Sequence, residues 1–133
     1  MSKNVMTKEK FKNQWLRKFA PDLTEKQKDE YSLKKYIWHI FSYELFDFDG
    51  LLIGDKAREA FNKIDKSECI ICDMFNHTGV SDKLSEEYNT AGKIDNGLRE
   101  VYIVSKDFSW TYIKTHEEIC GPYFFKRKWF LKA

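Results

Sequence analysis

Phe11, Trp15 and Phe19 recur every fourth residue between Thr7 and Pro21, a spacing that puts three rings on one face of a helix over 7–19. Thr7 is placed to cap that helix and Pro21 to end it. Thr24 followed by Gln27 is a capping-box pattern and predicts a second short helix at about 24–33. Residues 36–45, YIWHIFSYEL, are aromatic and β-branched almost throughout. They read as a strand buried on both faces, with Ile37, His39, Phe41 and Tyr43 on one side and Trp38, Ile40, Ser42 and Glu44 on the other.

After a loop from Asp47 to Gly54, Asp55 is placed to cap a helix at about 55–64 whose apolar face is Ala57, Ala60, Phe61 and Ile64. Residues 68–75, ECIICDMF, form the next expected strand, and a strand–helix–strand run of this length predicts a right-handed parallel crossover. Val80, Leu84, Tyr88 and Ala91 predict a helix at about 81–91, ended by a break at Asn96-Gly97. REVYIVS (99–105) and WTYIKT (110–115) predict an antiparallel β-hairpin near the C-terminus. The tail turns at Gly121-Pro122 and then interleaves aromatics with bases. The expectation is an α/β (α+β) protein: one domain over 1–133, with a mixed sheet of about four strands and helices packed on it.

Composition supports a packed core. Hydrophobic residues make up 42% of the 133, charged residues 33% and aromatics 17%, a balance unlike that of a disordered tail. No apolar run reaches the roughly 20 residues of a membrane helix, and the polar, basic start has no apolar stretch behind it, so neither a membrane span nor a signal peptide is expected. Three cysteines without an export signal read as reduced thiols in a cytoplasmic protein. The net charge of +2 is unevenly spread: ten Lys/Arg against five Asp/Glu in 1–35, six against twelve in 36–98, seven against four in 99–133. That is not the concentrated basic stripe of a nucleic-acid binder.

Few groupings suggest chemistry. Cys69-Ile-Ile-Cys72 has CxxC spacing, but residues three apart on a strand point to opposite faces, and no second pair completes four zinc ligands. The bland reading, two core cysteines, is preferred. His116 and Glu117 follow the last hairpin strand and are of the residue types used in acid–base catalysis. If the strands neighbour one another, His39, Tyr43 and His116 approach. Against this, His39 can be an ordinary core histidine, and His116 and Glu117 can simply end a strand. GxSxG, P-loop and GxGxxG motifs are absent. The aromatic–basic run Phe124 to Phe130 has the ingredients of single-strand nucleic-acid binding, but packing of its rings on the sheet is the preferred explanation.

Three stretches together, WHIFSYE (Trp38 to Glu44), KDFSWTYIKTHE (Lys106 to Glu117) and CGPYF (Cys120 to Phe124), resemble a family of uncharacterised bacterial proteins, mainly from Firmicutes, described as a domain of unknown function. The resemblance spans most of the chain. It implies no activity or cofactor, and it points to His39, Tyr43, Glu44, Trp110, Thr115, His116, Glu117 and Tyr123 as the candidate binding residues. The leading functional expectation is a protein-binding module without catalysis, analogous to small immunity proteins, with the acidic loop Glu44 to Asp55 as contact surface. The alternatives are a small hydrolase or metal-dependent enzyme centred on His116, Glu117 and His39, and a nucleic-acid binder using the basic termini. No cofactor and no bound metal are expected.

Overall fold

The computed structural model describes residues 7–33, 36–42, 48, 50–74, 80–82, 84, 86–117 and 120–127. Thr7 caps α1 (Lys8–Phe19) by accepting from the Lys10 amide, and the helix buries Phe11, Trp15, Leu16 and Phe19. Thr24 and Gln27 close the capping box of α2 (Glu25–Glu30). Both starts follow from short polar side chains satisfying amides that a first helical turn leaves without partners.

Over residues 36–42 the expected strand is absent. The described part of that run is a turn leading into α3 (His39–Ser42), and Tyr43 and Glu44 lie outside the described residues. Ile37, Ile40 and Phe41 are all buried, at i, i+3 and i+4 spacing, so one helical face accounts for them. A short, continuously apolar run has no period that separates a buried strand from a buried helical turn. With that strand goes the parallel crossover: every pairing in the sheet is antiparallel.

Among the described residues the sheet has six strands rather than about four. In chain order they are β1 (Leu52–Ile53), β2 (Cys69–Asp73), β3 (Val80–Ser81), β4 (Val101–Ser105), β5 (Trp110–Lys114) and β6 (Tyr123–Lys126), and across the sheet the order is β1-β6-β5-β4-β2-β3. The expected β4–β5 hairpin forms, with Ile103 opposite Tyr112. The tail supplies β6, which pairs Phe125 with Thr111. The two edge strands are two residues long, too short for the alternation that marks a strand in sequence.

The expected helix at 81–91 is displaced along the chain. Val80 and Ser81 pair with β2, Glu86–Tyr88 form one 3-10 turn, and α5 (Ala91–Gly97) begins only after the Thr90 cap. Asn96 and Gly97 therefore lie in the last turn of α5 rather than breaking the chain before it. Gly97 faces Tyr88 so closely that a Cβ there would lie 2.6 Å from the ring. Helix α4 (Asp55–Lys63) is capped by Gly54, not Asp55. Gly54 takes φ +70°, a left-handed conformation suited to glycine, and the Asp55 carboxylate instead accepts from Arg58 at 2.9 Å.

Helices cover both faces of the sheet. Residues from α1 and α3 pack on Ile70, Cys72, Tyr102, Val104, Ile113, Tyr123 and Phe125. Residues from α4 and α5 pack on Cys69, Val101, Ile103, Trp110, Tyr112 and Phe124. Strict alternation divides each strand between two cores, which is why all five residues of β4 are buried. Cys69 and Cys72 fall in different cores, as strand geometry requires. The first core is tied down by a polar relay: Trp15 Nε1 donates to Thr111 Oγ1 (2.9 Å), which donates to the Ile103 carbonyl (3.0 Å).

Trp15→Phe removes the first donor of that relay and keeps most of the ring. We expect a loss of about 1–2 kcal/mol in urea unfolding, against about 3–5 kcal/mol for Trp15→Ala, which opens a cavity as well.

Candidate functional site

Glu100 immediately precedes β4 and shares a sheet face with Tyr102. It is only 1% exposed. A buried carboxylate must be met by donors, and three arrive from three parts of the chain. Trp38 Nε1, just before α3, donates to Oε1 at 3.2 Å. His116, just after β5, places Nδ1 2.5 Å from the same oxygen. Tyr102 OH donates to Oε2 at 3.0 Å. Burial, reinforced by the Glu100 charge and by the hydrogen bond to it, pushes the Tyr102 phenol well above its ordinary range. Lys12 of α1 is drawn down by burial, while the charges of Cys72 and Glu100 act in the opposite sense.

The two histidines meet the same aromatic pair. His39 sits edge-on to Trp38 (4.4 Å between centroids, 87°) and 5.1 Å from Tyr36, while His116 lies 6.0 Å from Trp38 and 5.6 Å from Tyr36. His39 Nδ1 is 2.7 Å from the Tyr31 carbonyl. A carbonyl only accepts, so that nitrogen carries the proton. In the same way a Glu100 carboxylate accepts from the Nδ1–H of His116. The acid placed against a histidine is therefore Glu100 and not Glu117, which is exposed.

His116 and Glu117 form part of the rim of an open cleft of about 520 Å³. Arg58 of α4, Asp95 of α5, Arg99 and Lys114 supply other walls. Internal bonds hold these walls. Arg58 bridges Asp55 and Asp95 at 2.9 Å each. Lys114 Nζ donates to the carbonyls of Asp95 (3.0 Å) and Leu98 (2.5 Å), satisfying the end of α5. Thr115 Oγ1 faces the carbonyls of Glu117 and Cys120 and accepts from the Glu117 amide, closing the turn after β5. Thr115 thus shapes the cleft.

The remaining candidates lie elsewhere. Trp110 is buried in the α4/α5 core, stacked on Phe124 at 5.7 Å. Tyr123 is buried in the other core against Phe41 at 5.4 Å. Tyr43, Glu44 and most of the first half of the acidic loop lie outside the described residues. None of the three thiols is activated by its surroundings: burial raises Cys69 to about 11 and Cys72 to about 12, and burial with the Glu117 charge also raises Cys120. Among the described residues no group of three His, Cys, Asp or Glu could hold a metal ion, and no helix is long and apolar enough to cross a membrane. Phe124 and Phe125 are buried on opposite faces of the sheet, which removes them from any surface for base stacking.

Glu100 and Trp38 were absent from the residues that sequence reasoning singled out as candidates. One signal for Glu100 was available: period two places it with Tyr102 and Val104 on an inward face, where an acid requires partners.

The chain belongs to the family described as a domain of unknown function (DUF4275), whose profile matches residues 3–124. Neither a curated protein nor a solved structure matches it.

Removing the buried carboxylate strands the Trp38 and Tyr102 donors and releases His116. Glu100→Ala is expected to lose about 3–5 kcal/mol in denaturant unfolding, and Glu100→Gln, which keeps the shape, about 1–3 kcal/mol. In the native protein at pH 8, a thiol-specific reagent should label Cys120, which is half-buried, well before Cys69 and Cys72; equal rates for all three would contradict the burial described above.

Proposed function

We propose that the protein is a binding module whose contact surface is the cleft beside His116, and that its partner is another protein. The observation that carries this reading is the cleft itself: its walls come from α4, α5 and the two ends of the β4–β5 hairpin, and internal hydrogen bonds hold them before any ligand arrives. Such preorganisation favours recognition, because little side-chain freedom is left to lose on binding. The raised thiols fit the same reading, since a nucleophilic cysteine needs the opposite shift. A bacterial, cytoplasmic protein that neutralises or regulates a partner, in the manner of immunity proteins, is the setting this reading suits.

One observation favours a second reading. Glu100 orients His116 at 2.5 Å, and His116 lines the cleft, which is the arrangement of a general base with its orienting acid. Under that reading His116 transfers a proton for a hydrolytic or related reaction, with Glu100 as its positioning residue.

Both are tested with a paired Arg99→Glu/Glu117→Lys variant, which changes two exposed cleft residues without touching the buried carboxylate. Tagged wild-type protein should retain a stoichiometric protein partner from host lysate, and the variant should lose it by about tenfold or more at equal folding by circular dichroism. Full retention by the variant would remove the cleft as the contact surface. Turnover of a screened ester or amide substrate that is lost in His116→Gln, with the variant's fold intact, would establish the second reading instead.

A further inference from the structure

The donors around the cleft are not all used. Lys114 projects from the same face of β5 as Tyr112, and its ammonium donates to two main-chain carbonyls at the end of α5. An ammonium has three N–H bonds. Among the described residues the third has no protein acceptor, and no carboxylate forms an ion pair with Lys114. Arg58 differs, because Asp55 and Asp95 both meet its charge. Arg99, exposed beside the start of β4, also lines the rim, as does the acidic Glu117.

A second observation comes from the strand that carries Lys114. The Tyr112 hydroxyl is fully buried and has no hydrogen-bond partner among the described residues. It lies within electrostatic reach of Asp95 and Arg58, two of the cleft walls, and burial followed by the Asp95 charge pushes the phenol upward. Buried hydroxyls in folded proteins almost always have a hydrogen-bond partner, an ordered water included, so the polar ground next to Lys114 is incompletely satisfied by the described residues.

We propose that the cleft binds an oxyanion, a phosphate or carboxylate group carried by its ligand, with Lys114 as the principal contact and Arg99 as the supporting charge. An oxyanion supplies the acceptor that the third Lys114 N–H lacks, and a charge-assisted bond of this type is among the stronger single contacts a small site can make. The volume of about 520 Å³ suits a small molecule or a side chain with its flanking backbone. The proposal rests on reading the cleft as the contact surface and names the chemistry it accepts.

The test uses the full chain, titrated separately with inorganic phosphate and with acetate, against chloride at matched ionic strength, and followed by amide NMR shifts. Saturable shifts confined to residues 95–99 and 114–117 are expected. Lys114→Gln should weaken phosphate binding by about tenfold or more, and Arg99→Gln by about threefold. Preference for phosphate assigns a phosphoryl ligand, and preference for acetate a carboxylate; either supports the site. If Lys114→Gln fails to fold, the exposed Arg99→Gln carries the comparison. Shifts no larger than with chloride, shifts scattered over lysines away from the cleft, or affinity unchanged in the folded variants would overturn the proposal. If phosphate and acetate both fail while the Arg99→Glu/Glu117→Lys variant still loses its protein partner, the oxyanion site falls and the contact surface stands. If phosphate binds as expected and the partner is retained, the oxyanion site stands and the partner docks elsewhere.

Discussion

A carboxyl group taken out of water inside a protein must be met by hydrogen-bond partners. Glu100 is that group, and much of the arrangement on one side of the sheet follows from satisfying it. Trp38 must arrive from the segment before α3, Tyr102 from β4 itself and His116 from the exit of β5. The segment before α3 and the exit of β5 are thus both bound to one point beside the start of β4. The same contacts bring His39 and His116 to the two rings of Trp38 and Tyr36. A buried polar cluster of this kind is weak grounds for inferring net stability, since an apolar replacement of the whole network can do as well. Its consequence is geometric: the imidazole of His116 has one orientation.

The cleft is built around that fixed ring by a second set of constraints. The C-terminal turn of α5 leaves carbonyls without amide partners, and Lys114 reaches across from β5 to meet two of them. Arg58 joins α4 to α5 through Asp95, and Thr115 closes the turn below His116. Each bond serves the fold, and together they hold polar groups around an opening. Recognition at such a place arises where structural side chains have donors left over, which is the condition of Lys114. The cysteines show the converse. Burial raises both strand thiols, and the CxxC pair is split between the two cores, Cys69 on one face of the sheet and Cys72 on the other.

Sequence patterns were most reliable where a local signal and the tertiary packing agreed. The caps at Thr7 and Thr24, the aromatic stripe of α1 and the β4–β5 hairpin were all legible, because each depends on residues within one or two turns of one another. The failures share one cause. At 36–45 the chain is apolar without a period, and the choice between strand and helical turn was made by the surface onto which Ile37, Ile40 and Phe41 pack. At Val80–Ser81 a two-residue strand forms only because β2 presents an edge to it. For the site, His39 and His116 were legible as a pair worth bringing together, whereas Trp110 and Tyr123 belonged to opposite cores and Glu117 to the surface.

What the sequence by itself determined was the local grammar: where α1 and α2 start, where two strands turn back on one another, and that two cysteines three residues apart on a strand face away from each other. Those outcomes depend on hydrogen bonds and side-chain directions over a few residues, which composition and spacing encode directly. The tertiary structure alone decided that the described strands all pair antiparallel, that β6 lies between β5 and β1, and that Glu100 is the acid beside His116. These depend on which distant segments share a buried face. The burial of one carboxylate then selects its partners from the whole chain, a choice that no local window of sequence contains.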